Sequence, residues 1–319
     1  MRILSTADVE TILPTLSPSD LLATQAHVFK LFSAPPSSDA NSTSTLPVHA
    51  KGQIDPVQLP PRMATFSPEG RTLYMPSYVD GLGSGVKVLT RTAGGMKTNM
   101  MLIAPEGGVE AVVESKALTA VRNAAAIGAK PRKAVIFGAG DQARAHLKLL
   151  KQLWPELERT VVVRRDPAMP IPTDLAERVL LNSDAGVAQA LKEADAVVTA
   201  TPATEPLFPE NALRPGTAVV LLGSSRPDMC EVPPLLLRTA RVVVDSKEAC
   251  LREAGEVIQA GLTGDDLTEL GTLLASDGGR GSEEGEITVF KSVGLGMQDL
   301  AINRLVLQRA EEMDVGTVV

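Results

Sequence analysis

Residues 134–150, AVIFGAGDQARAHLKLL, decide the fold. An apolar strand passes directly into Gly138-Ala139-Gly140-Asp141-Gln142-Ala143 and then into a helical pattern. Gly138 permits a tight turn, Gly140 lets the backbone approach a pyrophosphate, and Ala143 lets the helix pack on the strand. The helix N-terminus offers N–H groups and a positive dipole end to phosphates. A glycine turn alone is weak evidence. Here the strand precedes it, the helix follows it, and a second strand is expected at 160–163, so the segment opens a dinucleotide-binding βαβ unit. That second strand ends in Val163-Arg164-Arg165-Asp166. NAD binders place an acid there for the ribose 2′-OH. Arg164 and Arg165 instead suit a 2′-phosphate, so NADPH is expected over NADH. A solvated basic turn is the alternative reading, and Asp166 weighs against the phosphate.

Downstream, apolar strands at 196–199, 218–222 and 241–244 alternate with helices at 141–153, 174–180 and 186–193. Such alternation predicts a parallel sheet covered by helices. The strand at 196–199 ends in Thr199-Ala200-Thr201-Pro202. Ligands of such sheets bind at the carboxyl edge, so Thr199 and Thr201 are candidates to line the cofactor, or else form a simple strand-end turn. Upstream, helices are expected to start near Ser5 and after Ser17-Pro18-Ser19-Asp20. Residues 33–47 are rich in Ser and Pro and predict an exposed loop. Strand-like runs follow at 63–66, 72–75, 85–90, 100–104 and 109–113, then a helix at 118–127. A loop at 278–285, a strand at 287–291 and a long amphipathic helix at 295–312 close the chain. We expect that helix to pack on the N-terminal part. The fold class is therefore α/β: a Rossmann dinucleotide-binding domain at 126–297, inserted into an α+β domain made of 1–125 and 298–319.

The bulk numbers exclude several classes. A 319-residue chain with 44% hydrophobic and 22% charged residues is an ordinary globular protein with a core. Its net charge of −7 argues against a nucleic-acid partner held through phosphates. Cys230 and Cys250 make no disulfide framework, and the histidines His27, His49 and His146 show no metal-ligand spacing. No stretch approaches the roughly 20 apolar residues that span a bilayer. The opening MRILSTADVE does not read as a signal peptide, and a cytoplasmic location is the default expectation.

Several further segments, in order, carry a resemblance: MRILSTADV at 1–9, LYMPSYV at 73–79, GVKVLT at 85–90 and ALTAVRNAAA at 117–126. They continue with FGAGDQARAHL at 137–147, VTATPATEPLF at 198–208, GSSRPDMCEV at 223–232, VVVDSKEACLREAGEV at 242–257 and ITVFKSVGLGMQDLA at 287–301. Together they resemble the ornithine cyclodeaminase/mu-crystallin family, which includes cyclodeaminases, ketimine reductases and mu-crystallins. The resemblance implies a homodimer, with the α+β domain as its substrate and dimerisation domain, and a small carboxylate ligand of the imino- or amino-acid type. It implies that Arg62, Lys87 and Arg122 hold that carboxylate, that Ser225 faces the substrate, and that Ser292 and Val293 contact the nicotinamide carboxamide. Lys87, Asp228 or water is the expected proton source, and the catalytic candidates are Lys87 and Asp228. Asp299 is either a helix N-terminal charge or a residue supporting the site.

Within the family, Ser225 stands where cyclodeaminases carry an aspartate, and Leu73 replaces their glutamate. Both departures count against ornithine cyclodeaminase, which stays a third reading, and the segment at 224–231 resembles the ketimine reductase and mu-crystallin branch, which implies an NADPH-dependent imine reductase. The stretch Arg91-Thr92-Ala93-Gly94-Gly95-Met96 departs from the reductase pattern. It keeps open a mu-crystallin-like protein that binds NADPH and a small carboxylate with little turnover.

Overall fold

The computed structural model describes residues 1–34, 55–115, 118, 131–164, 171, 174–276 and 285–319. The chain divides into two compact units, Met1–Arg122 with Leu295–Val319, and Asn123–Gly294. The divisions fall at 122/123 and 294/295, where the sequence reading had 125/126 and 297/298. At the second of them the backbone turns sharply at Gly294 (φ +84°), and a helix starts at Gly296.

The unit made of both chain ends is built on one sheet. Its strands are β1 (Arg2–Leu4), β2 (Val57–Gln58), β3 (Met63–Ser67), β4 (Gly70–Val79), β5 (Gly83–Thr92), β6 (Gly95–Ile103) and β7 (Val109–Glu114). Strands β4 to β7 form an antiparallel meander, β3 pairs with β4, and β1 joins parallel to β7. The C-terminal strand Thr317–Val318 closes the far edge against β1. Alternate residues of β4, Met75, Ser77 and Val79, are buried, as expected where one face is covered. The helix Gly296–Glu312 covers it, as the sequence predicts, packing on β4, β5 and β6 and on the helix Pro18–Phe32. Gly85 permits this approach: a Cβ there would meet the Met101 carbonyl at 2.9 Å and Leu300 at 3.0 Å. The first N-terminal helix starts next to Ser5 as expected, and the second starts at Pro18, within the segment it was expected to follow. Ser5 and Asp8 form a capping box, and Ser17 accepts from the Asp20 N–H with Pro18 in the first turn.

The second unit holds β8 (Lys133–Phe137), β9 (Glu158–Val163), β10 (Arg178–Leu181), β11 (Ala196–Thr199), β12 (Ala218–Leu221), β13 (Arg241–Val244), β14 (Leu267–Glu269) and β15 (Thr288–Lys291). All pair in parallel, in the order β10-β9-β8-β11-β12-β15-β13-β14. The order reverses between β8 and β11, which is where an open α/β sheet binds its ligand. Side chains alternate between two cores. Val135, Phe137, Val197, Val219 and Val242 face one. Ala134, Ile136, Val198, Val220 and Val243 face the other. A sheet buried on both faces needs such unbroken apolar strands.

One expected helix is a strand. Leu175, Ala176, Val179 and Leu180 are spaced as one helical face over 174–180, yet Arg178–Leu181 pairs with Thr160–Val163 as an edge strand. The run is short, and β-branched Val179 fits an edge strand equally well. Four helices between 234 and 275 were not anticipated. They have 6, 7, 5 and 6 residues, too few to display a period. The expected helix at 118–127 lies outside the described residues except for Leu118, as does all but the start of the loop at 33–47.

His146, on the helix Asp141–Leu153, is buried with Nδ1 2.7 Å from the Gln142 carbonyl. Burial pulls its pKa down to about 4. The unfolded chain takes up this proton near the ordinary value of 6.5 and the folded chain does not. Stability should therefore be complete above pH 6.5 and fall as pH drops from 6.5 towards about 4, by on the order of 3 kcal/mol. Chemical denaturation at several pH values should show this slope in the wild type and a flatter one in His146→Leu.

Candidate functional site

The glycine turn sits at the carboxyl end of β8. Gly138 has φ +116°, and a Cβ there would lie 2.8 Å from the Ala200 carbonyl, so only glycine fits. Gly140 is the N-cap of the helix Asp141–Leu153 and makes no side-chain cap. A Cβ on Gly140 would meet nothing within 4 Å. The helix N-terminus therefore opens on free space. Asp141 and Gln142 follow in the first turn, and buried Ala143 packs the helix on the sheet. Among the described residues the buried Gln142 side-chain carbonyl has no hydrogen-bond partner. An open, uncapped helix N-terminus behind a glycine turn fits a dinucleotide pyrophosphate. Ala139 lies in the turn, where its carbonyl accepts from Arg144 Nε at 2.9 Å. Arg164 is exposed directly after β9, and Arg165 lies outside the described residues.

Beyond the turn, the carboxyl edge of the sheet is tied by two buried carboxylates. Glu231 accepts the Thr199 hydroxyl at 2.8 Å, the Thr201 N–H at 2.7 Å, the Thr201 hydroxyl at 2.8 Å and the Gly223 N–H at 2.7 Å. Both threonine hydroxyls are thus committed within the protein, and Thr199 is fully buried. Asp245 accepts the Ser292 hydroxyl at 2.8 Å and the N–H groups of Val293 and Gly294 at 3.0 and 2.8 Å. Its other oxygen accepts the Ser246 N–H at 2.9 Å. The Ser292 side chain is therefore also committed, the Ser292 N–H donates to the Leu221 carbonyl at 3.1 Å, and only the backbone carbonyls at 292–293 are left to meet a carboxamide. Lys291 is buried between the Ser224 carbonyl at 2.6 Å and Glu256 at 3.1 Å.

Ser224 is buried and its hydroxyl accepts the Gly255 N–H at 3.0 Å, while Ser225 next to it is exposed. Asp228 lies on the surface in a two-point pair with Arg226, at 2.9 and 3.0 Å. The Arg226 guanidinium holds the Asp228 carboxyl below the usual carboxylate range, so it carries no proton at neutral pH. Burial pushes the Cys230 thiol up to about 11 and raises that of Cys250 as well, which leaves neither as a thiolate nucleophile.

In the unit made of both chain ends, Lys87 on β5 is buried with its Nζ 2.8 Å from Asp299 on the helix Gly296–Glu312. Met75 pairs with Lys87 across β4 and β5, and Met63 pairs with Tyr74. Arg62 directly precedes Met63, so the register puts Arg62 and Lys87 on one row, two strand spacings or roughly 10 Å apart. Arg122 lies outside the described residues. Among the described residues, no group of three or more His, Cys, Asp or Glu is placed to hold a metal ion. None of their helices is long and apolar enough to cross a membrane.

The sequence reading gave no role to Glu231, Asp245 or Lys291. The available signal was an acid set among apolar neighbours, Met229-Cys230-Glu231-Val232, since such an acid must find donors if it is buried.

Fold and site define the class: a two-unit α/β protein with a Rossmann-type, dinucleotide-shaped turn. The model of the ornithine cyclodeaminase/mu-crystallin family matches residues 37–314, and the chain belongs to that family. A Δ1-pyrroline-2-carboxylate reductase from Bacillus cereus is 32% identical over 280 residues, covering 79% of this chain and 85% of the relative. The ketimine reductase mu-crystallin of Mus musculus is 33% identical over 220 residues, covering 66% and 68%. The structure of Thermococcus litoralis Δ1-pyrroline-2-carboxylate reductase in complex with NADH and L-proline is similar at TM-score 0.80 and 25% identity, covering 100% of both chains.

Two outcomes are expected. Gly140→Ala should cost no more than about 1 kcal/mol of stability, because the new methyl meets only open space. It should nevertheless weaken dinucleotide binding by about tenfold or more, read by fluorescence titration. Asp299→Ala, which removes the carboxylate 2.8 Å from buried Lys87, should lower unfolding free energy by about 3–5 kcal/mol. In denaturant melts the double variant K87M/D299L should recover most of that loss.

Proposed function

We propose that this protein reduces a small cyclic 2-imino acid, of the Δ1-pyrroline-2-carboxylate or Δ1-piperideine-2-carboxylate type, to the corresponding amino acid, with NADPH as the reductant. The observation that carries the reading is the 32% identity to a Δ1-pyrroline-2-carboxylate reductase across 79% of the chain. The open glycine turn and the buried cation of Lys87 support it. The functional assembly is a homodimer, as the family resemblance implies.

The reaction adds a hydride to the imine carbon and a proton to its nitrogen. When bound, the reduced dinucleotide supplies the hydride. The chain's own work is positioning and charge. The helix N-terminus behind Gly138 and Gly140 binds the pyrophosphate, and Ala139, Asp141, Gln142 and Ala143 shape the turn. Arg164, with Arg165, takes the 2′-phosphate, and backbone groups at Ser292 and Val293 hold the carboxamide. Thr199 and Thr201 shape this site through their ties to Glu231. Arg62, Lys87 and Arg122 bind the substrate carboxylate, and Ser225 orients the ring.

Of the proton sources named from sequence, Lys87 is a donor, its Nζ bonded to Asp299 at 2.8 Å, whereas Arg226 holds the Asp228 carboxyl below the usual carboxylate range. Lys87 therefore keeps the imine protonated, directly or through water, and Asp228 orients Arg226. The unusual segment at 91–96 is the β5–β6 hairpin tip, with Arg91 paired to Met96 and residues 91–95 exposed. A solvated tip gives the non-catalytic reading little support.

Purified protein should consume NADPH saturably with either cyclic imino acid and form proline or pipecolate. Arg164→Ala should raise the KM for NADPH about tenfold or more and leave that for NADH nearly unchanged. Saturable ligand binding without turnover would overturn the reading, as would ammonia release from ornithine without net cofactor consumption.

A further inference from the structure

We propose that Glu231 is a positioning residue that locks the loop after β11 and the loop after β12 into one rigid unit. The cofactor-side Thr201 and the substrate-side Ser225 would then move together. This deepens, and rests on, the reductase reading above.

Glu231 is fully buried and makes no ion pair among the described residues. A lone buried carboxylate is costly unless its oxygens are saturated with donors. Here each oxygen takes one backbone N–H and one hydroxyl: Oε1 those of Thr201, Oε2 that of Gly223 with that of Thr199. Hydroxyls can rotate to other partners, but the two N–H groups have fixed directions. One carboxylate therefore spans two loops through rigid donors. The loops are also in contact, since a Cβ on Gly223 would lie 2.0 Å from the Thr201 carbonyl and 2.5 Å from Glu231 Oε1. The chain then continues into Ser224, fixed by Gly255 and Lys291, and presents Ser225 to solvent. Any shift of the β11 loop thus reaches Ser225 through Glu231 and Gly223.

A neutral amide cannot do the same. Glutamine offers one acceptor oxygen and points its NH2 group at the other N–H, which leaves a buried backbone donor facing a donor. The side chain keeps its size, so the core volume is conserved while the tie is cut.

The test compares wild type with Glu231→Gln, and with Thr199→Val, which removes a single donor. Hydrogen exchange is read on peptides covering 199–203 and 222–226, alongside NADPH Kd and imino-acid kinetics. We expect Glu231→Gln to speed exchange in both peptides together and to raise NADPH Kd and imino-acid KM in parallel, each about tenfold. Thr199→Val should give smaller changes in the same direction. Should Glu231→Gln fail to fold, Thr199→Val carries the same comparison. Faster exchange confined to one loop, or unchanged Kd and KM in a folded variant, overturns the proposal. If the wild type binds NADPH but reduces neither imino acid, the functional reading fails. The exchange and Kd comparison still decides whether Glu231 couples the loops.

Discussion

A parallel sheet buried on both faces leaves its strand ends with backbone groups that water cannot reach. In this protein two acidic side chains, Glu231 and Asp245, meet that constraint at the edge where ligands of such sheets bind. Each gathers donors from different segments. Asp245 ties the end of β13 to the turn after β15, and Glu231 ties the end of β11 to that of β12. The strand order makes this possible, because β15 is seated between β12 and β13 and its end at Lys291 has Leu221 and Val244 as lateral partners. Without saturated carboxylates at this edge, the loops would carry orphaned N–H groups and would not hold one conformation.

The other unit solves a different problem with similar means. Its sheet is covered by a helix whose first two turns are almost wholly buried, including Gln298, Asp299 and Asn303. Polar groups in such a place need partners: Asp299 has Lys87, the Asn303 amide donates to the Asp299 backbone carbonyl at 2.7 Å, and the Gln298 side-chain carbonyl accepts the Leu295 N–H at 3.0 Å. A cation is thereby held in an apolar setting with its charge balanced. A buried cation is costly to keep in a core by any other route.

Much of this was legible in the sequence, for identifiable reasons. Strands β11 and β13 and the helices Asp141–Leu153 and Gly186–Glu193 have apolar runs or clear periods, and their bounds match residue for residue, while β8 starts at Lys133, one residue before the expected Ala134. The helices between 234 and 275 were not legible, because each is only about one to two turns long. The glycine turn was legible because each of its small residues answers a distinct steric demand. Lys87 was recognised through its family motif, but its partner is over two hundred residues away, and pairing at that range leaves no local trace. Glu231 and Asp245 were passed over for another reason: two of the four donors on Glu231 and three of those on Asp245 are backbone groups, and any residue type can supply a backbone N–H.

The seating of β15 has a consequence for how the chain is made. Its neighbours β12 and β13 are synthesised well before it, yet they cannot pair with each other directly, since β15 stands between them. The helix Gly296–Glu312, which covers the other sheet, emerges later still. During translation both apolar surfaces therefore wait unfinished, with sheet edges open, until β15 and the helix Gly296–Glu312 have left the ribosome. Such a topology leaves the nascent protein open to aggregation when synthesis stalls late.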